Sequence, residues 1–321
     1  MKDQHSIKVS VVIPAYNAED TLRATLESVL RQTIAPHEIL VMDDGSTDHT
    51  RTILDSYGSR LKVFSQKNQG VAESRNVLCR AATGDIIAFI DSDDIWHPSY
   101  LEIQSRLVNE YPEAAATFVG HIDFLSEDKL SWEPQGDLQN AKVEVFPSRN
   151  FLNQYVRKPG NFYPSFSCIR RSTLKQLGDK PFCFRQAEDF YFFTHLLLTG
   201  PMVFHPAKIG AYRRRPGSLS SHRLLVAEST VQALEALESE YHHTPLLKDF
   251  MHLFAMKRSA YAKVLLYVDE SREARKQLKE AVLTDTRIDG KLRALIFLCS
   301  SYFPARIRPD WLAKSPEWKS S

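Results

Sequence analysis

Asp85-Ile86-Ile87-Ala88-Phe89-Ile90-Asp91-Ser92-Asp93-Asp94, residues 85–94, is a short apolar run that breaks abruptly into carboxylates. A continuous apolar stretch of this length, bounded by turn residues, reads as a strand buried on both faces. The acids then project from its carboxyl end. Working back toward the N-terminus, residues 71–82 carry a helical period that stops before Gly84, preceded by Asn68-Gln69-Gly70 and a strand at 61–65. Before these come a helix at 47–57 with Ser46 or Thr47 as its N-cap, Asp43-Asp44-Gly45-Ser46-Thr47-Asp48, and a strand at 38–42. The first strand, 9–13, leads through Pro14-Ala15-Tyr16-Asn17 into a helix marked by Leu22, Leu26, Val29 and Leu30. The order βαβαβαβ predicts an α/β fold: a Rossmann-like, mostly parallel sheet with helices on both faces and a ligand site beyond the carboxyl ends of the strands. Four polar clusters, each directly after a strand, then share one rim.

Toward the C-terminus the signals weaken after Tyr111. Strands are expected at 116–124 and 165–169, a loop around the Pro/Gly/Asn-rich stretch 159–164, a helix at 189–198, and strands at 202–204 and 209–213. The catalytic-type domain is expected to span 1–223, followed by a helical region, 224–321, with helices at 224–241, 246–268, 272–283 and 290–302. The pair covering 261–283 looks like one helical-repeat hairpin, but no second copy follows, which argues against an array. At 321 residues, 43% apolar and 25% charged, the composition is that of a globular protein, and a formal charge of +2 offers no general attraction for nucleic acid. Cys79, Cys168, Cys183 and Cys299 lie far apart, without metal-finger spacing. The polar residues 1–10 and the lack of a long apolar segment lead to the expectation of a cytoplasmic protein.

Several constellations point to chemistry. Hard divalent ions, Mn²⁺ or Mg²⁺, prefer carboxylate oxygens and neutralise a diphosphate leaving group, so Asp91 and Asp93 at a strand end read as a metal site; the plainer reading is a polar turn. Asp43 and Asp44 can accept from a nucleobase N–H, although DGSTD is also a good turn and helix start. Arg75 either holds base or phosphate, or pairs with Asp43 or Asp44 as a brace. Glu188-Asp189 opens the aromatic helix Phe190-Tyr191-Phe192-Phe193 and offers a general base, or merely a cap. Tyr212-Arg213-Arg214-Arg215-Pro216-Gly217 is a basic turn able to close over a diphosphate, or a solvated loop.

In their order and spacing, PAYN, DDGSTD, NQGVAESRN, GDIIAFIDSDD and the later ED resemble the family 2 glycosyltransferases with the GT-A fold, over about residues 7–220. The resemblance implies transfer of a sugar, with inversion, from a nucleotide diphosphate donor, UDP-linked by expectation, to an acceptor hydroxyl. It implies that Pro14, Ala15, Tyr16 and Asp44 line a uridine-type base pocket, with Arg75 in support. Asp91 would face ribose and metal beside Ser92, Asp93 would bind the metal directly, and Asp189 would be the base. Where many relatives carry a histidine in a Y-R-x-H-x-x-S-type segment, this chain has Arg215, so Arg213 and Arg215 are expected on the diphosphate instead. The tail resembles those of bacterial enzymes that build surface polysaccharides on lipid-linked acceptors. From Thr286 to Ser321 it holds seven Lys/Arg against three acids, beside Leu292, Leu295, Ile296 and Phe297. That composition suits peripheral association with the inner face of a membrane, packing on the core, or a dimer contact. The competing functional class is a non-catalytic module of the same fold that only binds a nucleotide sugar.

Overall fold

The computed structural model describes residues 7–126, 130, 138, 141–147, 162–184, 186–197, 199–214, 223–243 and 247–302. The chain divides into two compact units, Met1–Pro216 and Gly217–Ser321. In the first, strands β1 (Val9–Ala15), β2 (Glu38–Asp43), β3 (Lys62–Ser65) and β4 (Ile86–Phe89) are parallel, in the order β3-β2-β1-β4. Helices α1 (Leu22–Leu30), α2 (Thr50–Ser56) and α3 (Val71–Ala81) connect them. Every residue of β1 and β2 is buried, as expected for central parallel strands covered on both faces, whereas the edge strand β3 is half exposed. Alternate β1 residues Val9, Val11 and Ile13 meet Leu22, Leu26 and Val29 of α1 in the main core.

Beyond β4 the sheet becomes mixed: β8 (Ser167–Arg170) runs antiparallel to β4, and β6 (Ala116–Phe124) antiparallel to β8. The last long strand, β9 (Met202–Arg213), is parallel to β6 and carries β5 (Ile95–Trp96) and β7 (Glu144–Phe146) antiparallel on its far side. Strand β9 is one element where two separate strands were expected, because His205 and Lys208 shift register against β6 through an irregularity instead of ending the ladder. Helices α4 (Tyr100–Glu110), α5 (Arg171–Gln176) and α6 (Glu188–Leu196) complete the unit. Helix α4 is absent from the expectations above, although buried Tyr100, Leu101, Leu107 and Val108 carry a helical period. Helix α2 begins at Thr50 and not at Thr47, since Ser46 and Thr47 are bound to Asn17 and the Asp48 carboxylate accepts the Thr50 N–H (2.9 Å) instead.

One buried carboxylate ties the parallel strands together below the rim. Glu38 of β2 accepts from Ser10 Oγ (2.6 Å), Lys62 Nζ (2.6 Å) and both the N–H and the hydroxyl of Thr83 (2.7 Å each). Burial by itself would raise its pKa, but the donors from Lys62, Ser10 and Thr83 outweigh that and bring it down to about 2. With the folded value depressed, Glu38 contributes stability above its ordinary pKa near 4.5, and that contribution is lost as pH falls from 4.5 toward 2. Glu38→Ala is expected to lower stability by about 2–3 kcal/mol at neutral pH and by progressively less in acid, read from urea midpoints at a series of pH values.

In the second unit, α7 (Arg223–Tyr241), α8 (Leu247–Tyr267), α9 (Ser271–Thr284) and α10 (Ile288–Ser300) surround a core of Val231, Tyr261, Leu265, Leu278 and Phe297. Among the described residues no helix is long and apolar enough to cross a membrane.

Candidate functional site

The carboxyl ends of β1, β2 and β4 are bound to one another by side chains of the loops that leave them. After β1, Tyr16 is half exposed and Asn17 takes a left-handed backbone (φ 47°), from which its side chain accepts the Thr47 N–H at 2.8 Å. Buried Asp43 accepts the Ser46 N–H (3.0 Å) across the turn, and Gly45 sits at φ +77°, where a Cβ would lie 2.8 Å from the Asn68 nitrogen. Only glycine suits that position. Asp44, also buried, accepts at Oδ1 from Gln66 Nε2 (2.7 Å) and the Gln69 N–H (2.9 Å), and at Oδ2 from the Gly70 N–H (2.8 Å). A carboxylate offers about four acceptor positions, so one remains at Oδ2 for a further N–H. Pro14, Ala15, Tyr16, Asp43 and Asp44 therefore lie together, at adjoining strand ends paired in register.

Asp91, Ser92, Asp93 and Asp94 form the turn after β4, and α1 holds it from below. Thr21 Oγ1 donates to the Ser92 carbonyl (2.9 Å) and Thr25 Oγ1 to the Asp94 carbonyl (2.8 Å), while the Asp91 N–H donates to Ser165 Oγ (3.0 Å). Arg213 closes the other side: its N–H donates to Asp94 Oδ1 (3.0 Å), its Nε to the Asp93 carbonyl (2.9 Å), and its guanidinium lies 4.4 Å from the Phe124 ring centroid. Arg213, expected on a diphosphate, is in this geometry a buried support of the acidic turn. Arg215 and its basic turn up to residue 222 lie outside the described residues.

Arg75 of α3 joins this turn to the start of α6. Its side chain is 3% exposed, with Nη2 on Asp91 Oδ1 (2.6 Å) and Nη1 on Glu188 Oε1 (2.8 Å). The brace anticipated for Arg75 exists, but its partners are Asp91 and Glu188 and not Asp43 or Asp44. Asp43 accepts the Ser46 N–H and Asp44 accepts from Gln66 Nε2 and the Gln69 and Gly70 N–H groups, while the long Arg75 side chain reaches the other pair. The adjacent Asn76 exchanges two hydrogen bonds with the backbone of Phe182 (2.8 and 3.0 Å), fixing the segment that precedes α6. Ala187, held in the left-handed region (φ 59°), turns that segment into α6 at a cost of about 1 kcal/mol, so that Glu188 and Asp189 face Arg75.

The electrostatics reflect this crowding. Burial, and then Asp189, push Glu188 up to about 7 against the pull of Arg75. Asp94, fully buried, is pushed well above the carboxylate range by burial and then by Asp93 and Asp91, and its Oδ2 has no partner. The Arg75 guanidinium feels Asp91, Glu188 and Asp189 together, so acids from β4 and α6 occupy one neighbourhood. Among the described residues, Asp91, Asp93 and Asp94 follow β4, Glu188 and Asp189 open α6, and Asp94 Oδ2 has no hydrogen-bond partner; oxygen donors of this kind suit a hard divalent cation. Among the described residues no three His, Cys, Asp or Glu side chains form a ready-made cage.

Sequence reasoning did not single out Asp94, Thr21, Thr25, Ser165 or Gln66 as parts of the site. Only Asp94 carried a signal, as the fourth member of DSDD. It also passed over the stacked rings of Tyr163 and Tyr212 (centroids 4.6 Å apart, 9° between planes). Burial raises both phenols first; Asp189 acts on Tyr163, and Asp94 and Asp91 on Tyr212, which sets this aromatic wall beside both acid groups.

The chain is similar to known glycosyltransferases. The chain is 47% identical over 102 residues to the Escherichia coli UDP-Glc:alpha-D-GlcNAc-diphosphoundecaprenol beta-1,3-glucosyltransferase WfgD; the match takes in 31% of this chain and 40% of that protein, so the chain spans less than half the length of this relative. It is 28% identical over 243 residues to WfaP of the same species and the same described activity, across 73% of this chain and 88% of that one. Staphylococcus aureus TarS 1–349, solved with UDP-GlcNAc, superposes with a TM-score of 0.66 at 18% identity, covering 92% of this chain and 89% of that one, and so shares the GT-A fold. The family model for glycosyl transferase family 2 matches residues 10–178, more than half of the chain, from β1 through the acidic turn to α5: this protein belongs to glycosyl transferase family 2.

Proposed function

We propose that this protein transfers a single sugar, with inversion, from a UDP-sugar to a hydroxyl of a lipid-linked glycan during cell-surface polysaccharide synthesis. On this reading it works peripherally at the inner face of the membrane. The observation that carries the proposal is the Arg75 bridge, which draws Asp91 of the strand-end turn and Glu188 of α6 to within hydrogen-bond distance of one guanidinium. A binding module has no need to bring a second acid pair against the first. The acceptor class follows the diphosphoundecaprenol substrates named for WfgD and WfaP, and the donor follows their UDP-Glc and the UDP-GlcNAc of TarS.

In this mechanism Asp44 offers its remaining acceptor position to the base N–H, beside Pro14, Ala15 and Tyr16. Asp93, with Asp91, would hold Mn²⁺ or Mg²⁺, which supplies charge neutralisation to the departing diphosphate. Asp189 removes the acceptor hydroxyl proton as that oxygen bonds the anomeric carbon, and the bond from carbon to the diphosphate oxygen breaks on the opposite face. Glu188 stays paired with Arg75 and sets the proton affinity of its neighbour. The test incubates the full chain with individual nucleotide sugars, an undecaprenyl-diphosphate-linked GlcNAc acceptor, and either Mn²⁺ or EDTA, followed by mass spectrometry. Addition of one hexose or N-acetylhexosamine, lost with EDTA, is expected; no turnover of any donor would overturn the proposal.

The raised proton affinity of Glu188 has a kinetic signature. Burial and Asp189 push Glu188 up to about 7, so it becomes a second negative charge beside the proposed base as pH rises through that value, and kcat/KM is expected to change there. Glu188→Gln removes this titration and is expected to flatten the profile in that range. A parent profile already flat from about 5 to 8 would mean that Glu188 does not act on the base.

A further inference from the structure

Helix α10 carries two opposed apolar faces, and among the described residues only one of them is packed. Ala294, Phe297 and Ser301 point into the second unit, where the Lys263 ammonium lies 4.3 Å from the Phe297 ring centroid. Ile288, Leu292, Leu295, Ile296, Cys299 and Tyr302 are exposed, Ile288 at 87% and Leu292 at 58%. At ~100° per residue these six fall within an arc of about 120° on the side away from the packed face. Exposed Lys291 lies beside one edge of the arc, and exposed Asp289 and, farther round, exposed Arg293 lie beside the other. An ordinary surface helix turns its apolar residues inward and its charges outward. Here an outward apolar stripe is bordered by three exposed cations, Arg287, Lys291 and Arg293, and one exposed acid, Asp289, and the chain from Thr286 to Ser321 has seven Lys/Arg against three acids.

We infer that the exposed face of α10 docks on an anionic lipid bilayer, with Ile288, Leu292, Leu295 and Ile296 entering the headgroup and acyl boundary and Lys291 and Arg293 meeting lipid phosphates. The charge pattern favours lipid over a second copy of this chain. Two such surfaces brought together would each bring an excess of cations, Arg287, Lys291 and Arg293 against Asp289, whereas an anionic headgroup layer is complementary to that excess. The inference rests on the proposed lipid-linked acceptor for its purpose: docking would hold the site at the surface where that acceptor lies. The physical case for docking stands on the helix alone.

The experiment is co-sedimentation of the full chain with vesicles of phosphatidylglycerol and phosphatidylcholine in equal parts, and with phosphatidylcholine alone. Binding to the anionic vesicles and little to the neutral ones is expected, weakening with salt. Leu292→Glu combined with Ile296→Glu, both at exposed positions, is expected to weaken partitioning about tenfold or more with an unchanged melting temperature. Lys291→Glu combined with Arg293→Glu should also weaken it. The same variants should transfer sugar to a soluble acceptor analogue at the parent rate. Equal binding of parent and apolar-face variant, or no binding by the parent, would overturn the inference. So would light scattering that finds a dimer converted to monomer by the apolar-face variant. Vesicle binding is read without donor or acceptor, and transfer to the soluble analogue without lipid, so failure of docking and failure of the proposed activity are separately visible.

Discussion

Asp189→Asn is expected to reduce sugar transfer by about 10²- to 10⁴-fold while leaving donor affinity within a few-fold of the parent. The substitution keeps size and hydrogen-bonding shape but cannot take a proton. Asp189 sits in the first turn of α6, where its Oδ1 accepts the Phe190 N–H at 2.7 Å, a bond that an asparagine Oδ1 can also accept. The loss should therefore fall on kcat, measured by steady-state kinetics with saturating UDP-sugar, and not on donor binding measured by calorimetry. Glu188→Gln should cost less in kcat, because Glu188 faces the guanidinium of Arg75 and reaches the reaction through its neighbour. If Asp189→Asn kept a rate within about threefold of the parent and Glu188→Gln did not, the two acids would exchange roles.

Arg75→Met is expected to destabilise the first unit by about 3–5 kcal/mol, the penalty for breaking a buried pair from one side. Methionine fills much of the same volume, yet it leaves Asp91 and Glu188 facing each other without a cation between them, in a site where Glu188 is already pushed up to about 7. Arg75→Lys should recover only part of the loss, since one ammonium cannot serve both carboxylates with the geometry of two separate guanidinium nitrogens. Chemical denaturation at pH 7.5 measures the effect. The sign of its pH dependence is a further check: lowering pH toward 5 protonates Glu188 and should shrink the difference between parent and Arg75→Met. A difference that stays constant over that range would mean that Arg75 stabilises by packing, for instance against the Phe182 ring 5.5 Å away, and not by charge.

Where apolar runs ended in polar turns, the parallel half of the sheet was legible from the chain alone. Strands β1 to β4 and helix α3 lie within a residue or two of their expected limits; for β1, β2 and β4 this is because a strand buried on both faces is apolar almost throughout, and its ending is abrupt. The mixed half was harder. Strand β5 is two residues long and owes its existence to the pairing of Ile95 and Trp96 with Ala211 and Gly210 of β9, a partner more than a hundred residues distant. No local pattern announces such a strand. The unbroken β9 likewise depends on β6 accepting a register shift at Gly120.

At the site, residue types and their strand-end positions came from the sequence: a carboxylate that follows five apolar residues must emerge at a rim, whatever the rest of the chain does. Partnerships did not. Whether Arg75 would pair with Asp43, Asp44, Asp91 or Glu188 is a question of which loops meet in space, and the answer came from α3 facing both the β4 turn and α6. The same holds for Arg213, a cation that its local sequence presents as a solvated grip and that tertiary packing makes a strut beneath Asp93 and Asp94. Sequence alone determined which groups this protein has available at the ends of its strands, because hydrophobic burial orders the chain along its own length. Only the tertiary structure decided which charges neutralise which, because Coulomb and hydrogen-bond energies depend on distances between segments that sequence spacing does not encode.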